Sequence, residues 1–272
     1  MNPTPVDLPE WAYARRTDDT YDSSGLTRGP WHPDHQHAGP PSALVCRAIE
    51  QEAASLGLQH IGRLTSNLLR PVPIAPLQVR VRVDYAGRNA AHLAAELIAG
   101  DKVVARFTAL AQRESPIELP AHVLDHPHGV SPPEDCPACF PPFYRPESVG
   151  YFKFVEVRLA RGEFFNGPCF VWFRVMKPLV EHEPLSAYQR VAVAADCGNG
   201  ISKVLSFDTH LFMNSDLTIN LSRRPRGEWI GLNAMTYLGP DGCGLAESAL
   251  YDLDGRIGRA TQSLFVRSKN EA

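Results

Sequence analysis

The sequence predicts an α+β protein made of two tandem copies of one unit, each an antiparallel sheet set against a helix. Three observations carry this. Apolar residues recur at helical spacing in two stretches and then give way to alternation with a period of two. Like residues recur at a constant offset of 153: Thr65 and Thr218, Arg70 and Arg223, Leu97 and Leu250, Asp101 and Asp254, Arg106 and Arg259, Thr108 and Thr261. Between the two regions, residues 114–150 are dense in Pro and have no period. The expected organisation is therefore an N-terminal repeat over 1–113, a Pro-rich linker over 114–150 and a C-terminal repeat over 151–272, each repeat within ordinary domain size.

Residues 1–30 are polar and irregular, an arm with room for one short strand. A turn-rich loop, GPWHPDHQHAGPP, feeds the first helix, in which Ala43, Val45, Cys46, Ile49 and Ala53 keep helical spacing and Gly57 closes the run. From Leu64 the period becomes two. Strands are expected at 64–70, 77–86, 91–99 and 103–113, with turns at Pro71–Pro73, Gly87–Asn89 and Gly100–Lys102. The second half repeats the plan. Strands at 151–159 and 169–176 precede a helix over 186–196, and further strands begin at Leu217, Trp229, Ala246 and Arg259. Two such copies in one chain should pair side by side as the halves of a dimer do.

Composition excludes several classes of function. Hydrophobic content of 44%, charged content of 21% and a net charge of −3 without a Lys or Arg block suit a water-soluble protein and give no reason to expect nucleic acid or an anionic membrane as partner. No stretch approaches the ~20 apolar residues of a membrane span, and the start of the chain lacks a signal-peptide core. The six Cys are then expected as reduced thiols in a cytoplasmic protein.

The stretch of most chemical interest is VAVAADCGNGI, residues 191–201. It is an apolar helical run that carries one carboxylate, Asp196, and is broken by Gly198-Asn199-Gly200. A desolvated carboxylate is costly, so it is either paired or put to use.

HAGPPSALVCRAIE and LLRPVPIAPLQVRVRVDYAGR in the first half, with SAYQRVAVAADCGNG, NSDLTINLSRRPRGEW and GRATQSLFVR in the second, resemble the acyl-CoA thioesterase II family. The resemblance covers nearly all of the chain apart from its ends and the linker. It implies a double hot-dog fold, in which each antiparallel sheet wraps a central helix. It also implies hydrolysis of acyl-CoA to a free acid and CoA with no metal, cofactor or covalent intermediate. The family holds its water with an Asp, a Gln and a Ser or Thr. Carried over, the Asp is Asp196, after the second helical run, and the Gln is Gln262, in the TQ pattern of the last strand. The Ser/Thr position, two residues before the Asp that leads into the RP turn, is Asn214 here, which has an amide in place of a hydroxyl. Thr218, four residues on, is a secondary candidate, and Ser215 should face away. For substrate, a backbone N–H near Gly39 could meet the oxyanion, His37 lies beside it, and Arg70 and Arg223 could face CoA phosphates at the rim. By family analogy the assembly is a homodimer.

Other features are given simpler readings. Cys136-Pro-Ala-Cys139 with His126 and His128 does not have the spacing of a standard zinc finger. GPDGCG, residues 239–244, reads as a hairpin turn because no helix follows it, and no G-x-S-x-G nucleophile elbow is present. Two alternatives stay open: an acyl-CoA-binding protein that has lost turnover, favoured by Asn214, and a hot-dog enoyl-CoA hydratase or dehydratase, for which Asp208-Thr-His210 is the nearest acid/His pair.

Overall fold

The computed structural model describes residues 7–120, 123 and 127–269. In chain order its elements are β1 (Tyr13–Arg15), β2 (Thr20–Ser23), α1 (Gly39–Ser55), β3 (His60–Leu68), β4 (Leu77–Ala86), β5 (Ala90–Ala99) and β6 (Lys102–Gln112), then α2 (Tyr151–Phe154), β7 (Val155–Gly162), β8 (Cys169–Val175), α3 (Ala187–Ala195), α4 (Gly198–Ile201), β9 (His210–Asn214), β10 (Asp216–Leu221), β11 (Trp229–Leu238), β12 (Cys243–Asp252) and β13 (Gly255–Ser268). All strands belong to one antiparallel sheet in the order β1-β2-β4-β5-β6-β3-β10-β13-β12-β11-β8-β7, with β9 added beside β13. The sheet curls until Tyr13 on one edge bridges to Val180 just beyond β8. The two long helices run antiparallel inside it. This is the two-copy α+β arrangement that the pattern predicts and the double hot-dog architecture that the family resemblance implies.

Small residues let the helices meet. A Cβ on Gly39 would lie 2.4 Å from the carbonyl oxygen of Val193, so only Gly permits this crossing. At the other end, Glu50 of α1 accepts from Ser186 Oγ at 2.8 Å and Gln189 Nε2 at 3.0 Å. Ser186 and Gln189 form a capping box that starts α3, as its S-x-x-Q spacing allows. Arg47 of α1 donates to both carboxylate oxygens of Glu183 at 2.5 and 2.7 Å and to the Tyr21 hydroxyl at 2.8 Å.

The 153-residue offset is a two-fold relation written into the strand register. β3 and β10 meet at the axis, where Thr65 pairs with Thr218. Thr65 also pairs with Thr108 of β6, and Thr218 with Thr261 of β13. Both copies break register at the same place, near Gly62 in one and Ser215 in the other: Ile61 faces Ala111, and Asn214 faces Leu264, one step out of phase with the threonines. A bulge of this kind moves the residues on either side of it to opposite faces of the sheet.

Five elements depart from the sequence reading. Residues 151–154 form the short helix α2 where the start of a strand was expected, and β9 is an additional strand ahead of the one expected from Leu217. The N-terminal arm makes two strands where one was expected, held by Ala12 and Tyr13 N–H groups on Pro178 and Leu179 carbonyls. Gly198–Ile201 forms a short helix, so the glycines re-aim the helical path where an end was expected. Residues 130–139 of the Pro-rich segment lie against β7 and β8, where Cys136 packs with Phe170 and Trp172. The Cys136 thiol sits near the Ser131 and Pro132 carbonyls and His128 stands edge-on to Trp172; His126 lies outside the described residues. Among the described residues, no helix is long and apolar enough to cross a membrane.

Candidate active site

Asp196 caps the C-terminal end of α3 and is 7% exposed. Three polar side chains converge on its carboxylate from separate elements. Asn214, at the end of β9, donates through Nδ2 to Oδ1 at 3.1 Å. Gln262, on β13 and 2% exposed, sets Nε2 3.5 Å from the same oxygen and 3.2 Å from the Asp196 backbone carbonyl. His37, which precedes α1 in the other repeat, places Nδ1 3.0 Å from Oδ2.

Each partner is oriented by a further contact. Gln262 Oε1 accepts the Asn199 backbone N–H at 3.0 Å, which fixes the amide with its NH₂ toward Asp196. The turn of α4 presents that N–H, and a Cβ at Gly198 would lie 2.9 Å from Gln262 Oε1 and from Ser248 Oγ. Asn214 Nδ2 also reaches the Asp216 carbonyl at 3.2 Å. With both amide hydrogens engaged, its oxygen is left to accept. The His37 ring stacks on Tyr151 with centroids 3.9 Å apart, and the Tyr151 hydroxyl is anchored on the Val193 carbonyl at 2.8 Å.

Burial pulls the His37 imidazole below its usual pKa, outweighing the opposite pull of Asp196. A neutral imidazole that donates from Nδ1 to the carboxylate presents Nε2 as an acceptor, 3.7 Å from Cys197 Sγ. Cys197, His37 and Asp196 thus lie in the order of a nucleophile, base and orienting acid. The thiol is nevertheless unsuited to the role of nucleophile: burial raises its pKa far above the usual thiol value, and Sγ sits 3.2 Å from the Tyr151 hydroxyl.

Gly39 is the only residue in the first turn of α1 with an N–H not tied to a backbone carbonyl. Pro40 and Pro41 have none, Ser42 bonds to Ala38, and the Gly39 N–H points at His37 Nδ1 at 3.2 Å. One nitrogen cannot donate to Asp196 and accept from Gly39 together. The charged acceptor is the stronger partner, which leaves the Gly39 N–H available to another oxygen.

The other sequence candidates are not brought here. Thr218 pairs with Thr261, whereas Gln262, one residue on, points to the opposite, helix-facing side; Thr218 instead bonds Thr65 Oγ1 at 3.2 Å on the outer face. Four residues from Asn214 would share its face in a regular strand, and the bulge at Ser215 inverts that. Arg223 is engaged by Asp252, a fully buried carboxylate, through two bonds of 2.6 Å. Arg70 is exposed, without a side-chain partner among the described residues. Asp208 and His210 make local contacts with Ser206 and Thr209. The sequence reading missed Tyr151, Asn199 and Cys197; only Asn199 carried a signal, its place in the helix-breaking GNG.

Comparison with known proteins bears on both fold and family. Residues 27–112 match the family described as acyl-CoA thioesterase N-terminal domain, and residues 133–266 match the acyl-CoA thioesterase C-terminal domain. No curated protein matches the chain. Among solved structures, a candidate thioesterase from Novosphingobium aromaticivorans is similar at 19% identity, covering 93% of this chain and 98% of that one, with a TM-score of 0.73. A hot-dog protein of unknown function from Alicyclobacillus acidocaldarius matches at 18% identity, 94% and 96% coverage and a TM-score of 0.68. An acyl-CoA thioesterase II, TesB2, from Mycobacterium marinum matches at 16% identity, 96% and 97% coverage and a TM-score of 0.66. With its two family matches in tandem over most of its length, the chain belongs to the acyl-CoA thioesterase family of double hot-dog proteins.

Proposed function

We propose that this protein hydrolyses acyl-CoA thioesters to a free acid and CoA by direct attack of a water activated at Asp196. The observation that carries the reading is a buried carboxylate on which amides of β9 and β13 converge, with an imidazole from the other repeat. Asn214 Oδ1 and Asp196 would accept the two hydrogens of a water, and Gln262 and His37 hold the carboxylate still, which is worth most when done in advance. Asp196 takes one proton as the water oxygen bonds to the thioester carbon. The Gly39 N–H meets the carbonyl oxygen as it gains charge. The tetrahedral adduct then expels the CoA thiolate, which recovers the proton from Asp196. The amide of Asn214 does the work of the family hydroxyl as an acceptor.

A second reading, an acyl-CoA-binding protein without turnover, follows from the same substitution. Release of free thiol from a panel of short, long and aromatic acyl-CoAs, measured beside acyl-CoA binding, separates the two. Release from at least one member is the expected result. Binding without release from any would sink the enzyme reading. The reading extends to a homodimer in the cytoplasm, which sedimentation and cell fractionation test.

A further inference from the structure

A pocket of about 280 Å³ opens beside the candidate active site, between the 28–33 loop and the 143–153 segment. Arg28, Arg145 and Lys153 line it, and no Asp or Glu does, in a chain whose net charge is −3. The cations are held by neutral groups. Arg28 donates to the Pro33 and Val149 carbonyls at 2.8 and 3.1 Å, Arg145 to the Tyr144 carbonyl at 3.0 Å, and Lys153 Nζ lies 5.4 Å from the Tyr144 ring centre. Their charge is therefore uncompensated among the described residues. The wall also presents aromatic surface. Trp31 is 57% exposed, yet it is held edge-on to Phe207 at 4.7 Å.

Concentrated positive charge with exposed aromatic surface suits a ligand that joins several anionic groups to a flat ring. The pocket is one ring away from the catalytic carboxylate: Tyr151 lines it and stacks on His37, which touches Asp196. We infer that this pocket holds the phosphate-bearing adenosine end of CoA, with the pantetheine arm passing Tyr151 to bring the thioester to Asp196. The inference rests on the thioesterase reading, and it makes free CoA the preferred carrier over protein-bound phosphopantetheine.

The test uses adenosine 3′,5′-bisphosphate as probe, with calorimetric binding to wild type and to Arg145→Ala, Lys153→Ala and the double variant. Arg145 is exposed and Lys153 half-buried, and Arg28, which ties two loops, is left in place. Expected are binding that weakens with added salt, a loss of about tenfold in the double variant, as for removal of charge-assisted contacts, and competition against acyl-CoA. The KM of an acyl-N-acetylcysteamine thioester, divided by that of the acyl-CoA, should fall by a similar factor in the variants. Thiol release from acyl-CoA with no probe binding and an unmoved KM ratio would overturn the pocket assignment and leave the thioesterase reading intact. Probe binding that the variants weaken, with no thiol release from any acyl-CoA, would support the pocket and overturn the enzyme.

Discussion

The two repeats share a backbone and differ in the chemistry placed on it. The register sets Gln262 on Ala109 and Asn214 on Ile61, at the same inward positions beside the same bulge. Asp252, which anchors Arg223, corresponds to Ala99, and Arg70 accordingly stands exposed. One copy thus carries polar side chains where the other is apolar. The apolar copy contributes from its helix start instead, with His37 and Gly39. A duplicated fold can divide labour in this way because the antiparallel helices bring the N-terminal end of one to the C-terminal end of the other. A single copy could not place a carboxylate and a first-turn N–H of the partner helix in one site.

Making the second repeat resemble the first should break catalysis before it breaks the fold. In Asn214→Ile with Gln262→Ala, the water loses its Asn214 acceptor and Asp196 loses both amides that hold its carboxylate. Thiol release should drop by roughly 10²- to 10³-fold, while the melting temperature stays within a few degrees of wild type. Retained release would show that the amides do not serve the water.

The Asp252→Ala change copies the first repeat in a structural place. It leaves Arg223 partly buried without its carboxylate and removes acceptors of the Arg226 and Asp254 N–H groups. Denaturant unfolding should show a loss of about 3 kcal/mol, with turnover per folded molecule preserved. An unchanged midpoint would mean that the pair contributes little net stability.

The contribution across the repeats has a pH signature. His37 has a lowered pKa in the folded state, so between that value and its ordinary value of 6.5 the unfolded chain binds more protons than the folded one. Stability then rises with pH through this window and is lost as pH falls below 6.5. Unfolding free energy measured across this range should slope in this direction, and the slope should flatten in His37→Asn. An equal slope in the variant would assign the effect elsewhere.

The smallest effect expected is at Cys197. Serine fills its place beside Tyr151 and His37, and if water attacks directly, Cys197→Ser should retain thiol release to within about fivefold. Loss comparable to that of an Asp196 variant would instead support an acyl-cysteine intermediate.

Much of this was legible in the sequence. The change from helical to alternating period marked the elements, and the 153-residue offset anticipated the two-fold axis and its threonine pair. Asp196 stands out in the sequence by its place at the end of an apolar helical run, whereas Gln262 and Asn214 are reached only through the resemblance to the acyl-CoA thioesterase II family, at its TQ pattern and before its RP turn. Thr218 falls on the wrong face because alternation counts faces correctly only in a regular strand, and a one-residue bulge leaves no mark in the pattern. His37 was singled out by its nearness to a helix start, yet its contact with Asp196 depends on helix packing between residues far apart in sequence. Tyr151 and Cys197 were invisible for the same reason. Arg223 resembles a rim cation in the sequence because a buried carboxylate across a hairpin has no periodic signature.

The proposed mechanism turns on Asp196 as the base. The direct measurement is the rate of thiol release by Asp196→Asn beside wild type, on the acyl-CoA that wild type hydrolyses fastest, with the melting temperature recorded for both. Asn preserves the shape and can still hydrogen-bond to the amides and His37, but it cannot take a proton from water. The prediction is a fall of at least about 10²-fold in a protein that remains folded. Release at the wild-type rate from a folded variant would contradict the assignment of Asp196, and with it the water-activation mechanism.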